Sequence, residues 1–154
     1  MFLCTRLVLF GSVALIATGS LGQEKKILRS DLPPAVEDTV AAESRGAVIR
    51  GFSMENENGQ TYYEAEMTEN GHSRDVLIDK SGAILEVEEQ VPFDSLPASV
   101  GVGLQTKAGK GKIVKVESIT KHNRLVAYEA KVLTGKKKSE VQVGPDGKPL
   151  DHEE

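Results

Sequence analysis

The chain is poor in the residues that carry most familiar site chemistry. Its 154 residues include one cysteine, three histidines, no tryptophan and 5% aromatic residues. The cysteine, Cys4, precedes an apolar run from Leu7 to Ala17, with Arg6 before the run and Thr18, Gly19, Ser20 and Gly22 after it. A charged start, an apolar centre and a small-residue exit form the pattern of a secretory signal peptide over residues 1–22, with cleavage expected after Gly22. The alternative is an uncleaved N-terminal anchor, but the run is too short to span a bilayer as a mature helix. A lipid-modified cysteine would follow such a run, so the position of Cys4 argues against lipoprotein anchoring. Cleavage leaves a mature chain without cysteine, which excludes disulfides, thiolate metal sites and a cysteine nucleophile. The expectation is a periplasmic or secreted protein with no stable membrane anchor, held together by core packing.

Other absences narrow the chemistry further. His72, His122 and His152 fall in turns and the tail, without the spacing of a metal-ligand pair. No Gly-x-Ser-x-Gly elbow or phosphate loop is present, and Gly101-Val102-Gly103 and Gly109-Lys110-Gly111 are too loose to cradle phosphate. No catalytic residue, metal ligand set or cofactor emerges, and the chain reads as non-enzymatic. Lys107, Lys110, Lys112 and Lys115 with Lys136, Lys137 and Lys138 form a basic set, but no aromatic residue interleaves with it to stack bases. With an export signal and a net charge of -4, nucleic acid is excluded as a partner, and the lysines read as blunting strand edges. Glu86-Val87-Glu88-Glu89 could attract a hard cation, yet it lacks oxygen ligands at alternate positions around a glycine turn, so it reads as a solvated face.

What the sequence does contain is a repetition. Ser30-Asp31-Leu32-Pro33-Pro34-Ala35-Val36 returns about 64 residues later as Asp94-Ser95-Leu96-Pro97-Ala98-Ser99-Val100. Tyr63-Glu64-Ala65-Glu66 returns as Tyr128-Glu129-Ala130-Lys131, and Val76-Leu77-Ile78-Asp79-Lys80-Ser81-Gly82 as Val141-Gln142-Val143-Gly144-Pro145-Asp146-Gly147. Three matches in one order predict a duplicated unit, residues 31–94 and 95–154, after a polar lead-in over 23–30.

Within the first unit, Leu32, Val36 and Val40 mark a helix face, with Asp31 or Ser30 as cap and Pro33 and Pro34 in the first turn. Strands follow at Ala47–Met54, Thr61–Met67, Ser73–Asp79 and Ala83–Glu88, joined by turn residues that include Asn70-Gly71. The second copy has Leu96, Val100 and Leu104 on its helix, but Gly101 and Gly103 each cost about 1 kcal/mol there, so a short or poorly ordered helix is expected. Ile113–Ile119, Leu125–Leu133 and Ser139–Val143 are its strands, and Asp151–Glu154 reads as a frayed tail. The predicted fold class is α+β, two tandem repeats of one helix followed by about four antiparallel strands.

Charge separates the copies. Residues 31–94 carry 15 acidic and 4 basic side chains, a net of -11; residues 95–154 carry 7 and 11, a net of +4. Attraction between the halves explains this without a partner, and steering of a charged partner is the functional alternative. Strand alternation places Tyr63 and Tyr128 on the core face and leaves Tyr62 and Leu77 on the outward face, with the phase of Phe52 ambiguous.

An exported chain with two Leu-Pro-x-x-Val helices, Tyr-Glu-Ala strands and a strand–Asp-x-x-Gly–Leu ending resembles the PepSY-like family. These are tandem helix-plus-sheet modules related in fold to β-lactamase-inhibitor-like proteins. The resemblance implies a non-catalytic module outside the cytoplasm, associated in the wider group with binding or inhibiting peptidases. The residues it marks here are structural: Leu32, Pro33, Val36, Tyr63, Asp79 and Gly82, with their copies. Gly144 stands where the second turn should begin with Asp. The inhibitors of related fold carry disulfides that a cysteine-free mature chain lacks, which argues against β-lactamase inhibition as such. The site expectation is an outward sheet face that engages a protein or peptide of the cell envelope. There Tyr62 and Leu77 are apolar anchors and Glu64 and Glu66 supply electrostatic selectivity. The alternative is a cation-responsive sensor or structural envelope protein using the acidic first repeat.

Overall fold

Alternating apolar and polar residues, punctuated by tight turns, fold this chain into one sheet. The computed structural model describes residues 24–154, and the expected signal peptide lies outside them. Eight antiparallel strands pair in sequence order. They are β1 (Lys25–Ile27), β2 (Val48–Glu57), β3 (Gln60–Glu69), β4 (His72–Asp79), β5 (Ile84–Gln90), β6 (Lys112–Lys121), β7 (Arg124–Thr134) and β8 (Lys137–Val143). Two helices, α1 (Pro34–Glu43) and α2 (Ala98–Ala108), each follow a 3-10 turn, at Arg29–Asp31 and Phe93–Ser95. Among the described residues no helix is long and apolar enough to cross a membrane.

Turn chemistry sets the meander. Asn58-Gly59 and Asn70-Gly71 place both residues at positive φ (50° and 80°, 50° and 84°), as two-residue hairpins require. His122-Asn123 does the same between β6 and β7, at 47° and 61°. His122 is therefore a turn residue.

The α+β character stands, but two units of one helix and four strands do not form. α2 is followed by three strands, and all eight strands belong to a single sheet. β5 leads into the second 3-10 turn and α2 as β1 leads into the first turn and α1. The recurring order is strand, 3-10 turn, helix, three strands. β1 was hidden in the polar lead-in because three residues are too few to show alternation. Pairing with β2 makes it a strand, with Lys25 opposite Met54 and Ile27 opposite Phe52.

Both helices cover the same side of the sheet. Val36 and Val40 of α1 pack on Phe52, Ala65, Met67, Val76 and Ile78, while Val100 and Leu104 of α2 pack on Val116, Ala130, Val132 and Val143. Phe52 thus belongs to the core. Tyr63 and Tyr128 are partly buried against these clusters, on the face the repetition assigned to them. Pro33 and Pro34 occupy the N-cap and first position of α1. Asp31 does not cap that helix; its Oδ2 accepts from the Leu28 amide at 2.9 Å and closes the 3-10 turn.

α2 is neither short nor frayed at its glycines: it has 11 residues against 10 for α1. Gly103 is there for packing. A Cβ on Gly103 would lie 2.1 Å from the Gly147 carbonyl oxygen, and one on Gly147, at φ 81°, would lie 2.2 Å from the Ser99 carbonyl oxygen. The helix and the turn after β8 touch backbone to backbone. The first half makes the corresponding approach at Gly82, where an added Cβ would lie 2.6 Å from the Ala35 carbonyl oxygen, and there Thr39 Oγ1 also donates to the Gly82 carbonyl at 2.7 Å.

Candidate functional site on the helix-free side

With one side of the sheet under helices, the site must be sought on the other. Period-two alternation sends Ser53, Tyr62, Glu64, Glu66, Asp75, Leu77, Glu86 and Glu88 to that side. Cross-strand register then brings them together. Glu64 stands opposite Leu77, Leu77 opposite Glu86, Glu66 opposite Asp75, and Asp75 opposite Glu88. Glu66, Asp75 and Glu88 form a row of carboxylates across three adjacent strands. Like charges directly opposite one another destabilise a sheet, so such a row asks for an explanation.

This side is concave. Ser53, Glu86, Glu88, Glu117 and Gln142 are buried although no helix covers them. Extra residues in the ladder, Arg50 of β2, Leu85 of β5, Val114 of β6 and Val126 of β7, supply local bends. The solvated face expected for Glu86 to Glu89 is thus half wrong: Glu89 is exposed, but Glu86 and Glu88 point into the hollow. The signal was present in the sequence, since Glu86 and Glu88 flank the inward Val87 in strict alternation. What was missing was the curvature.

The anchors expected from the sequence fall where the alternation put them. Tyr62, Leu77 and Glu64 line one cavity of about 30 Å³ together with Ser53, Asp75, Glu86 and Glu88. Tyr62 Oη donates to Gln60 Oε1 at 2.6 Å, and Ser53 Oγ donates to Glu64 Oε2 at 2.8 Å. Glu66 sits toward the rim, paired with Lys26, which also reaches Glu24 at 3.0 Å. Sequence reasoning did not find Ser53, Asp75 or Glu117 as members of this face.

Burial governs the electrostatics. Glu64 is pushed up to about 7 by burial, with the nearby Asp75 and Glu66 carboxylates adding to it and the Ser53 hydroxyl opposing. Glu129, buried on β7, is likewise pushed up to about 7, against the Gln142 amide that donates to it at 2.9 Å. Glu88 is held far above the usual carboxylate range, first by burial and then by the Glu117, Glu129, Glu86 and Asp75 carboxylates. Burial also pushes Glu117 upward, but its lysine partners outweigh that and hold it below the usual range. Lys115 lies 2.5 Å from its Oε1 and Lys131 lies 3.1 Å from its Oε2. Lys115 is therefore an inward partner of a buried carboxylate and does not blunt an edge.

The tail is also tied down. The Glu154 amide donates to Gln142 Oε1 at 2.8 Å, and the Glu154 carboxylate lies 3.3 Å from Lys121, which in turn lies 3.5 Å from Glu86. The last residues thus cross β7, between β8 and β6, on the helix-free side. A second groove, of about 620 Å³, lies where Val91, Pro92 and Phe93 meet Gln105 and Ala108 of α2 and Ile113 and Val114 of β6. Lys115 is the one charged residue in its lining.

The architecture, a curved antiparallel sheet with two helices on one side, is BLIP-like. Solved structures with this fold include a BLIP-like protein from Bacteroides fragilis, at 22% identity over 80% of this chain and 86% of that one, TM-score 0.57. A DUF2874 family protein from Bacteroides ovatus matches at 21% identity over 79% and 86%, TM-score 0.60. A protein from Bacteroides eggerthii, provisionally described as periplasmic, matches at 16% identity over 77% and 86%, TM-score 0.62. At these identities the likeness is one of fold. No family model matches the sequence, the PepSY-like one included, and no curated protein matches it.

Proposed function

We propose that this protein is an exported, non-catalytic binding module of PepSY-like kinship, acting in the periplasm or outside the cell. Its concave, helix-free side engages a protein or peptide of the envelope. The observation that carries this reading is the surface around the mouth of the small hollow, where Tyr62 and Leu77 present apolar area beside Glu55, Glu64 and Asp75. Such a surface favours a segment offering an aliphatic or aromatic side chain next to lysine or arginine. Export is supported by the leader pattern of the first 22 residues, and the periplasmic description of the B. eggerthii structure agrees with it. Binding or inhibition of an envelope peptidase would be one use of such a face.

The test is affinity capture from envelope extract at about 50 mM and about 500 mM salt, where the screening length differs roughly threefold. The paired change Tyr62→Ala with Leu77→Ala is compared with Val102→Ser on the exposed side of α2. The reading expects partners retained at low salt by the wild type and by Val102→Ser, and lost from the double variant. Equal capture by all three proteins would contradict it.

A further inference from the structure

Beyond a macromolecular partner, and independently of it, we infer that Asp75, Glu88 and Glu117 hold a hard divalent cation of the calcium class. Three carboxylate oxygens, one from each residue, lie within 4.8 Å of one another. Calcium takes oxygen ligands at about 2.4 Å, so two oxygens on opposite sides of one ion are about 4.8 Å apart. The three groups therefore already stand at coordinating separation, brought there by the register of β4, β5 and β6.

An acidic cluster alone does not make a site, and the decisive group is Glu88. It is 7% exposed, its Oε2 is buried, and that oxygen accepts no hydrogen bond. Buried polar atoms are normally satisfied, and a carboxylate oxygen left open inside a hollow is a ligand position waiting for a cation. Glu117 has Lys115 and Lys131 beside it. The cavity that Asp75 and Glu88 line measures about 30 Å³, which admits an ion or a water and nothing larger. Oxygen-only donors select calcium, magnesium or manganese over zinc or copper.

The experiment is a titration of the purified protein with calcium chloride and magnesium chloride by calorimetry, and with terbium by tyrosine-sensitised luminescence. Tyr62 lines the cavity and serves as the sensitiser. The inference predicts saturable terbium emission that calcium displaces. It predicts calcium affinity at least about tenfold weaker in Glu88→Gln and in Asp75→Asn, and dimmer emission but unchanged calcium affinity in Tyr62→Phe. Thermal melting checks that Glu88→Gln folds; if it does not, the more exposed Asp75→Asn decides. No saturable calcium heat below about 10 mM overturns the inference. So does unchanged affinity in both carboxylate variants, or terbium emission indifferent to Tyr62→Phe. A protein silent to calcium that still captures its envelope partner would remove the ion and leave the partner reading intact.

Discussion

Glu64 shows what the hollow does to a single residue. Its carboxyl keeps its proton up to about pH 7 in the fold, whereas an unfolded chain releases it near 4.5. Below that value both states are protonated and Glu64 makes no difference. As pH rises toward 7 the unfolded state alone gains charge, and stability is lost progressively until the folded carboxyl ionises too. The loss amounts to about 1–3 kcal/mol. Glu64→Gln should therefore match the wild type at pH 3.5 and exceed it in stability at pH 8.5, by that amount, in urea unfolding at the two pH values. A variant less stable than the wild type at pH 8.5 would show that Glu64 is charged and paired. The sequence placed Glu64 on the correct face through the alternation of Thr61 to Met67. It could not show the burial, because burial depends on Ser53 and Asp75 arriving from neighbouring strands.

Among the elements, α2 most clearly reverses an expectation drawn from propensity. A glycine inside a helix costs about 1 kcal/mol relative to alanine, so Gly103→Ala should stabilise an isolated α2. In the fold the added methyl would lie 2.1 Å from the Gly147 carbonyl oxygen. Backbone cannot yield as a flexible side chain can, and overpacking of this kind costs about 1–3 kcal/mol. The predicted outcome is net destabilisation of Gly103→Ala, read as a lower melting temperature. A higher one would mean that helix and turn can separate freely. Helix positions, hairpin turns and the apolar stripe of each helix were legible locally, from Val36 and Val40 and from Asn70-Gly71. The membership of β5 was not. Its seven residues pair with β4 on one side and β6 on the other, and nothing within Ile84–Gln90 states that it opens the second half as well as closing the first.

At the scale of the whole molecule, the opposed charges of the two halves meet on one surface. The carboxylates of β3, β4 and β5 share the concave side with Lys115, Lys121 and Lys131 of β6 and β7, and Lys121 bridges the seam to Glu86 at 3.5 Å. Attraction between the halves accounts for the Lys121–Glu86 contact, whereas Lys115 and Lys131 pair with Glu117 of their own half, and the acidic row at Glu66, Asp75 and Glu88 lies on the far side of the seam. An acidic hollow with apolar anchors at its edge is what a binding face requires. The architecture shared with the Bacteroides structures supplies the scaffold, and the face must be judged by its own residues.

The central claim, that the helix-free side is the working face, is most directly tested by carboxyl footprinting. Carbodiimide labelling of accessible carboxylates is read by mass spectrometry on the protein alone and on the protein loaded with its captured partner. The account predicts that labelling of Glu24, Glu55, Glu66 and Asp75 falls on loading, while Asp38 on α1 and Asp94 at the entry to α2 label as before. Protection of Asp38 and Asp94 with the concave carboxylates unchanged would place the partner on the helices and contradict it.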